Sequence, residues 1–76
     1  MTELELMRRF AYNLKNMLEY NNATQRELAE DTGLSESTIS CYIRADRMPS
    51  LKNVINIAYA LDCRIDELID INEYII

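Results

Sequence analysis

Apolar residues recur at helical spacing from the start of the chain: Leu4, Met7, Phe10, Ala11, Leu14, Met17 and Leu18, with Glu5, Arg8, Arg9, Asn13, Asn16 and Glu19 opposite them. A single apolar stripe with a period of 3.6 residues marks an amphipathic helix. Thr2-Glu3-Leu4-Glu5 offers a capping box for its start, with Thr2 serving the third helical N–H and Glu5 reaching back. The stripe fades at Tyr20. Asn21-Asn22 follows, and asparagine is second only to glycine for a left-handed helix exit.

Four shorter segments obey the same rules. Thr24-Gln25-Arg26-Glu27 is a second capping box, Ala23 and Leu28 are placed as a weak hydrophobic staple, and the helix is predicted to stop at Asp31-Thr32 before Gly33. Ser35 caps a third helix running to about Arg44, whose inner side is Ile39, Tyr42 and Ile43. Pro49 blocks continuation, and Ser50 caps a fourth helix with Leu51, Val54, Ile55, Ala58 and Leu61 expected inward. Beyond Asp62-Cys63-Arg64 a fifth helix is predicted over 65–71, with Ile65, Leu68 and Ile69 inward, and 72–76 is a tail ending Tyr74-Ile75-Ile76. No repeat, low-complexity tract or linker divides the chain. The expectation is an all-α fold, a compact five-helix bundle forming one domain over 1–76.

Residues 24–44, TQRELAEDTGLSESTISCYIR, carry more than a pair of helices needs. With Gln25 as the first helical position, Ala29 is fifth, Gly33 ninth and Ile39 fifteenth. Two helices crossing steeply need a small residue at closest approach, which Ala29 supplies. The short turn between them needs a left-handed backbone, which Gly33 supplies. Leu34 and Ile39 then plug the seam. Together these make a strong helix-turn-helix signal formed by helices 2 and 3.

On these residues the chain resembles the lambda repressor/Cro-type, or XRE-like, helix-turn-helix family over nearly its full length. Arg47-Met48-Pro49-Ser50-Leu51 and Ile57-Ala58-Tyr59-Ala60-Leu61 are similar to that family's fourth helix, and Ile65-Asp66-Glu67-Leu68 to its fifth. The resemblance implies a lambda-repressor-like DNA-binding domain and a transcriptional regulator, a small repressor of bacterial or phage type. Its recognition helix would lie in the major groove of a double-stranded operator, usually as a homodimer. It further implies that Glu36, Ser37 and Cys41 face bases with Ser40 beside them, that Thr38 and Arg44 reach bases or backbone, and that Gln25 contacts phosphate. Helix starts favour anions, so Thr24, Gln25 and the Ser35 cap suit phosphate oxygens, and Arg47, Lys52 and Asn53 bracket another such start. The chain departs from the family's habits at Glu36 and Cys41, where a basic or amide residue is common, and at Ala45-Asp46, where Gly-Lys is common. Glu36 either accepts from cytosine N4 or repels phosphates.

Charge then complicates the picture. The 76 residues carry 13 acidic and 8 basic side chains, a formal net charge of −5, which is an unpromising total for gripping a polyanion. By segment the balance is zero over 1–23, −2 over 24–47 and −3 over 48–76. Glu27, Glu30 and Asp31 are expected on the body side of helix 2, and Asp62, Asp66, Glu67, Asp70 and Glu73 on the far C-terminal side. That leaves Arg26, Arg44, Arg47 and Lys52 against Glu36 and Asp46 on the proposed face, a surplus of two. The acidic C-terminal helix also suggests an alternative, a protein-interaction module of antitoxin or anti-repressor type with weak DNA binding.

Other chemistries find little support. Hydrophobic residues make up 49% of the chain, enough for a small core, yet the longest uncharged apolar stretch, 53–61, is too short to cross a membrane. Glu3, Glu5, Arg8 and Arg9 leave no visible signal peptide, so a cytoplasmic location is expected. Two cysteines and no histidine make neither a zinc site nor the commonest general base; no metal, cofactor or enzyme activity is expected. Cys63 is expected to pack as a small apolar residue and Cys41 to be exposed.

Overall fold

The computed structural model of the protein describes residues 1–69. Four of its helices are entered through a hydroxyl: Thr2, Thr24, Ser35 and Ser50 each accept from the backbone N–H three residues on, at 3.0–3.1 Å. Each such cap is worth about 1 kcal/mol. The helices are α1 (Glu3–Tyr20), α2 (Gln25–Thr32), α3 (Glu36–Ile43), α4 (Leu51–Ala60) and α5 (Ile65–Ile69). At α2 both halves of the capping box are present, the Glu27 carboxylate accepting from the Thr24 N–H at 3.0 Å. The predicted continuation of the fifth helix to 71 and the tail lie outside the described residues.

The exits share one device. Asn22, Gly33, Ala45 and Asp62 all hold left-handed φ, between +51° and +74°. After α1, α3 and α4 the closure is a Schellman pair: Ala23 N–H donates to Leu18 C=O and Asn22 to Glu19, Asp46 to Cys41 and Ala45 to Tyr42, Cys63 to Ala58 and Asp62 to Tyr59. Gly33 closes α2 with a single bond to Ala29 C=O at 2.9 Å. A Cβ built on Gly33 would meet nothing within 4 Å, so the turn needs glycine for its dihedral angle alone.

One core joins all five helices: Phe10, Leu14 and Leu18 from α1, Leu28 and Ala29 from α2, Ile39 and Tyr42 from α3, Val54, Ile57 and Ala58 from α4, and Leu68 from α5. α1 packs on α3 and α5, and α2 on α3 and α4. Among the described residues there is no strand, and no helix is long and apolar enough to cross a membrane. The all-α arrangement of five helices expected from the sequence is the one observed among the described residues.

Several expected core positions are corrected. Leu4 is exposed at the unpacked first turn of α1, and Ile65 is exposed at the start of α5. On α4 the inward set is Val54, Ile57 and Ala58, while Leu51 and Ile55 are exposed. The helix is apolar on two faces, so periodicity did not say which one the fold would use. Asn13 and Asn56, in contrast, point inward. Asn13 donates to Leu68 C=O at 2.7 Å, and Asn56 donates to Thr32 C=O at 2.8 Å.

Two measurements follow from these turns. A residue with a Cβ in the left-handed region costs about 1–2 kcal/mol, of which the greater unfolded-state freedom of glycine would return roughly 0.5–1 kcal/mol. Ala45→Gly is therefore expected to stabilise the fold by about 0.5–1 kcal/mol and Gly33→Ala to destabilise it by about 1 kcal/mol. Thermal melting followed by circular dichroism reads both, and an Ala45→Gly variant that melts lower would refute the first. Cys63 packs against the core, and burial, with smaller contributions from Glu67 and Asp62, pushes its thiol above the usual range. Its alkylation, resolved by peptide mass spectrometry, is expected to begin at higher pH in the native protein than in urea.

Candidate nucleic-acid interface

α3 has eight residues, too few to be a stable helix by itself, so its direction must come from what it buries. Ile39 and Tyr42, three residues apart on one side, are 0% and 2% exposed. The Tyr42 ring meets Phe10 edge-on, with centroids 6.1 Å apart and planes at 80°. Its hydroxyl accepts from Asn53 Nδ2 at 2.8 Å. The helix is thus held from α1 by a ring and from α4 by a hydrogen bond. Ile43 is only partly buried beside them.

The turn before it is tied with equal economy. Thr32 Oγ1 donates to Leu28 C=O at 2.8 Å and accepts from Leu34 N–H at 3.3 Å, spanning the Gly33 bend. Asn56 holds the carbonyl of the same threonine from α4. Sequence reasoning missed Thr32 and Asn56 altogether and took Asn53 for a phosphate-contacting or helix-positioning residue; in the structure Asn53 bonds to Tyr42 of α3. The signal was there: Asn53 and Asn56 interrupt an apolar helix at positions where a merely solvated residue has no reason to be.

Opposite Ile39 and Tyr42 lies the candidate reading face. Glu36 and Ser37 are exposed, Ser40 is half-buried, and Arg44 at the end of the helix is exposed. Thr24, Gln25 and Arg26 are exposed at the start of α2, and Arg47 and Lys52 are exposed before and within the first turn of α4. The Ser35 and Thr38 hydroxyls share one hydrogen bond of 2.9 Å, and Ser35 Oγ also accepts the Thr38 N–H. Whichever hydroxyl donates, the other keeps a free O–H for an outside acceptor.

Charge on this face is more balanced than the sequence suggested. Arg44 spans three neighbours: Nε donates to Asp46 Oδ2 at 2.8 Å, Nη1 to Ser40 Oγ at 2.6 Å, and Nη2 to Cys41 Sγ at 3.7 Å. The Asp46 hydrogen bond and charge raise the guanidinium further above its already high pKa. Cys41, expected to be exposed, is half-buried with the Arg44 guanidinium against its sulfur. Arg26 pairs with Glu30 at 3.4 Å. Glu30 is not on the body side as expected, because it shares a shallow depression with Arg26, Gly33, Leu34 and Glu36. Glu27 and Asp31 do lie away, beside Ala60, Leu61 and Asp62. With Glu30 added, the surplus on the face falls from two to one. Arg47 and Lys52 form no ion pair among the described residues, so they are the cations at liberty there.

A family model described as the Cro/C1-type HTH DNA-binding domain matches residues 13–73. The chain is similar to the replication factor C small subunit of Methanocaldococcus jannaschii, 35% identical over 80 aligned positions that take in 87% of this chain and 4% of that protein. It is similar also to the cryptic phage CTXphi transcriptional repressor RstR of Vibrio cholerae, 34% identical over 55 residues, 72% of this chain and 49% of that one. The chain therefore spans less than half the length of either curated relative. Among solved structures it resembles the restriction-modification controller protein C.AhdI from Aeromonas hydrophila, with a TM-score of 0.78 and 31% identity, covering 82% of this chain and 94% of that one.

If Tyr42 orients α3 as described, two substitutions separate its parts. Tyr42→Phe keeps the ring contact and leaves the Asn53 amide without its acceptor, an expected loss of about 1 kcal/mol. Tyr42→Ala removes the ring as well, for about 3–5 kcal/mol. Urea unfolding measures both, and equal losses would contradict the division.

Proposed function

Because the chain belongs to the Cro/C1-type helix-turn-helix family of DNA-binding transcriptional regulators, which are not enzymes, we propose that it is a sequence-specific repressor that reads the major groove of a double-stranded operator with α3, as a homodimer. The observation that carries this reading is the two-sidedness of α3. Ile39 and Tyr42 lock one side into the core, while Glu36, Ser37, Ser40, Cys41 and Arg44 occupy the other. In this role Glu36, Ser37, Ser40 and Cys41 face base edges. Thr24, Gln25, Arg26, Ser35, Thr38, Arg44, Arg47 and Lys52 meet phosphates or steady the helix, and Asn53 acts by holding Tyr42. The repressor sense is supported by the likeness to RstR, itself described as a transcriptional repressor. In this reading residues 1–76 act as one domain in the cytoplasm, with no call on a metal or cofactor.

A second reading, a protein-interaction module on the same fold, draws support from the Arg26–Glu30 and Arg44–Asp46 pairs, which leave little positive field for phosphate. Salt dependence separates the two. For the repressor, log K is expected to fall with log salt with a slope of about −2 to −4 per monomer. Selection from a random duplex pool should then enrich a two-fold symmetric site, with protected half-sites about 34 Å apart. The double variant Gln25→Ala/Arg44→Ala is expected to lose that binding while keeping its helical spectrum. Recovery of no enriched site, with weak binding indifferent to salt, would favour the interaction module.

A further inference from the structure

We propose that Asp46 sets the affinity of this protein for DNA by holding Arg44 down over the reading face until a phosphate replaces its carboxylate; this rests on the repressor reading above and deepens it. Arg44 lies back along α3. Its Nε donates to Asp46 Oδ2 at 2.8 Å, Nη1 to Ser40 Oγ at 2.6 Å and Nη2 to Cys41 Sγ at 3.7 Å. The guanidinium thus lies across Ser40 and Cys41, both of which the reading above assigns to base edges. Those two are half-buried, whereas Glu36 and Ser37, nearer the start of the helix, are exposed.

The turn after α3 delivers the carboxylate. Ala45 takes a φ of +58°, and the Asp46 N–H donates to Cys41 C=O at 2.9 Å. That bond fixes Asp46 at the end of α3, where the helix dipole is negative and an acid is unfavourable without a cation beside it. Arg44 is that cation. Their contact is shorter than Arg26–Glu30 at 3.4 Å or Arg64–Asp66 at 3.1 Å. Both partners stay open to water, with side chains 58% and 55% exposed, so a phosphate can displace the carboxylate without any part of the core moving. A guanidinium binds phosphate and carboxylate in the same forked geometry, and the exchange swaps one anion for another of like kind. Arg44 therefore gains a phosphate only by leaving Asp46, and in swinging out it uncovers Ser40 and Cys41. Affinity for every duplex is lowered, whatever its sequence, along with about one phosphate's share of counterion release. Arg47 and Lys52, without an ion-pair partner among the described residues, have no counterpart to this exchange.

Nitrogen-15 relaxation of the arginine Nε–H groups in the full chain tests the contact without DNA. The Arg44 Nε–H is expected to be as ordered as the backbone of α3, with Arg47 as the mobile reference. Asp46→Ala is expected to make Arg44 as mobile as Arg47 and to leave the helical spectrum unchanged. On a random-sequence duplex at low salt, Asp46→Ala is expected to bind roughly 4- to 10-fold more tightly than wild type, with a log–log salt slope steeper by about one. Asp46→Glu, which keeps a carboxylate within reach of Arg44, is expected to stay within about twofold of wild type. In an Arg44→Gln chain, Asp46→Ala is expected to gain no more than about twofold, the part due to the bare charge of Asp46. A gain of undiminished size in that chain would overturn the proposal, since Asp46 would then act without Arg44. So would a wild-type Arg44 as mobile as Arg47, or a duplex bound equally by wild type and Asp46→Ala. If neither chain binds any duplex while Arg44 stays ordered, the repressor reading fails and takes the role of Asp46 with it, leaving only the contact.

Discussion

The whole surface logic of this protein depends on burying one side of a helix too short to exist unaided. α3 forms because Ile39 and Tyr42 have somewhere to go, between α1 and α4. Burial of two side chains contributes a few kilocalories, comparable with the whole stability expected of so small a domain. The direction in which Ser37 or Arg44 points is therefore a property of the core as much as of α3. The Phe10 edge contact sets the tilt of the Tyr42 ring, and the Asn53 bond sets its reach.

Much of this was legible from residue order because the devices are local. A hydroxyl three residues before its partner N–H, and a glycine or asparagine one residue past a fading stripe, specify starts and stops with no knowledge of the rest. Thr2, Thr24, Ser35 and Ser50 behave accordingly. What was not legible depends on distance. Asn13, Asn53 and Asn56 find partners 55, 11 and 24 residues away; an asparagine interrupting an apolar helix marks a position, but nothing near it in sequence names the partner. The faces of α4 failed for a different reason: with apolar residues around most of the helix, periodicity gives an axis and not a direction.

The candidate site was legible as a set of positions and much less so as an electrostatic object. Counting charges treats each arginine as a free cation. In the folded chain Arg44 lies along α3, engaged with Asp46, Ser40 and Cys41, and Arg26 is engaged with Glu30. Such exposed pairs are individually worth little to stability. They still matter to a polyanion, which must compete with a carboxylate already in place. An acidic chain can hold a surface open to a polyanion, but only a restrained one.

The bond from Asn13 to the carbonyl of Leu68, with Leu68 itself fully enclosed, joins the first helix to the last one described. Its consequence is temporal. As the chain emerges from the ribosome at roughly 5–20 residues per second, the part of α1 that meets Leu68 waits for its cover until α5 has been made, after α3 has already supplied Tyr42 to Phe10. The helix-turn-helix unit appears earlier but has no finished core to lean on. The core described here is complete only once α5 is in place, and a nascent chain halted before it would leave the Leu68 side of α1 open to chaperones and proteases.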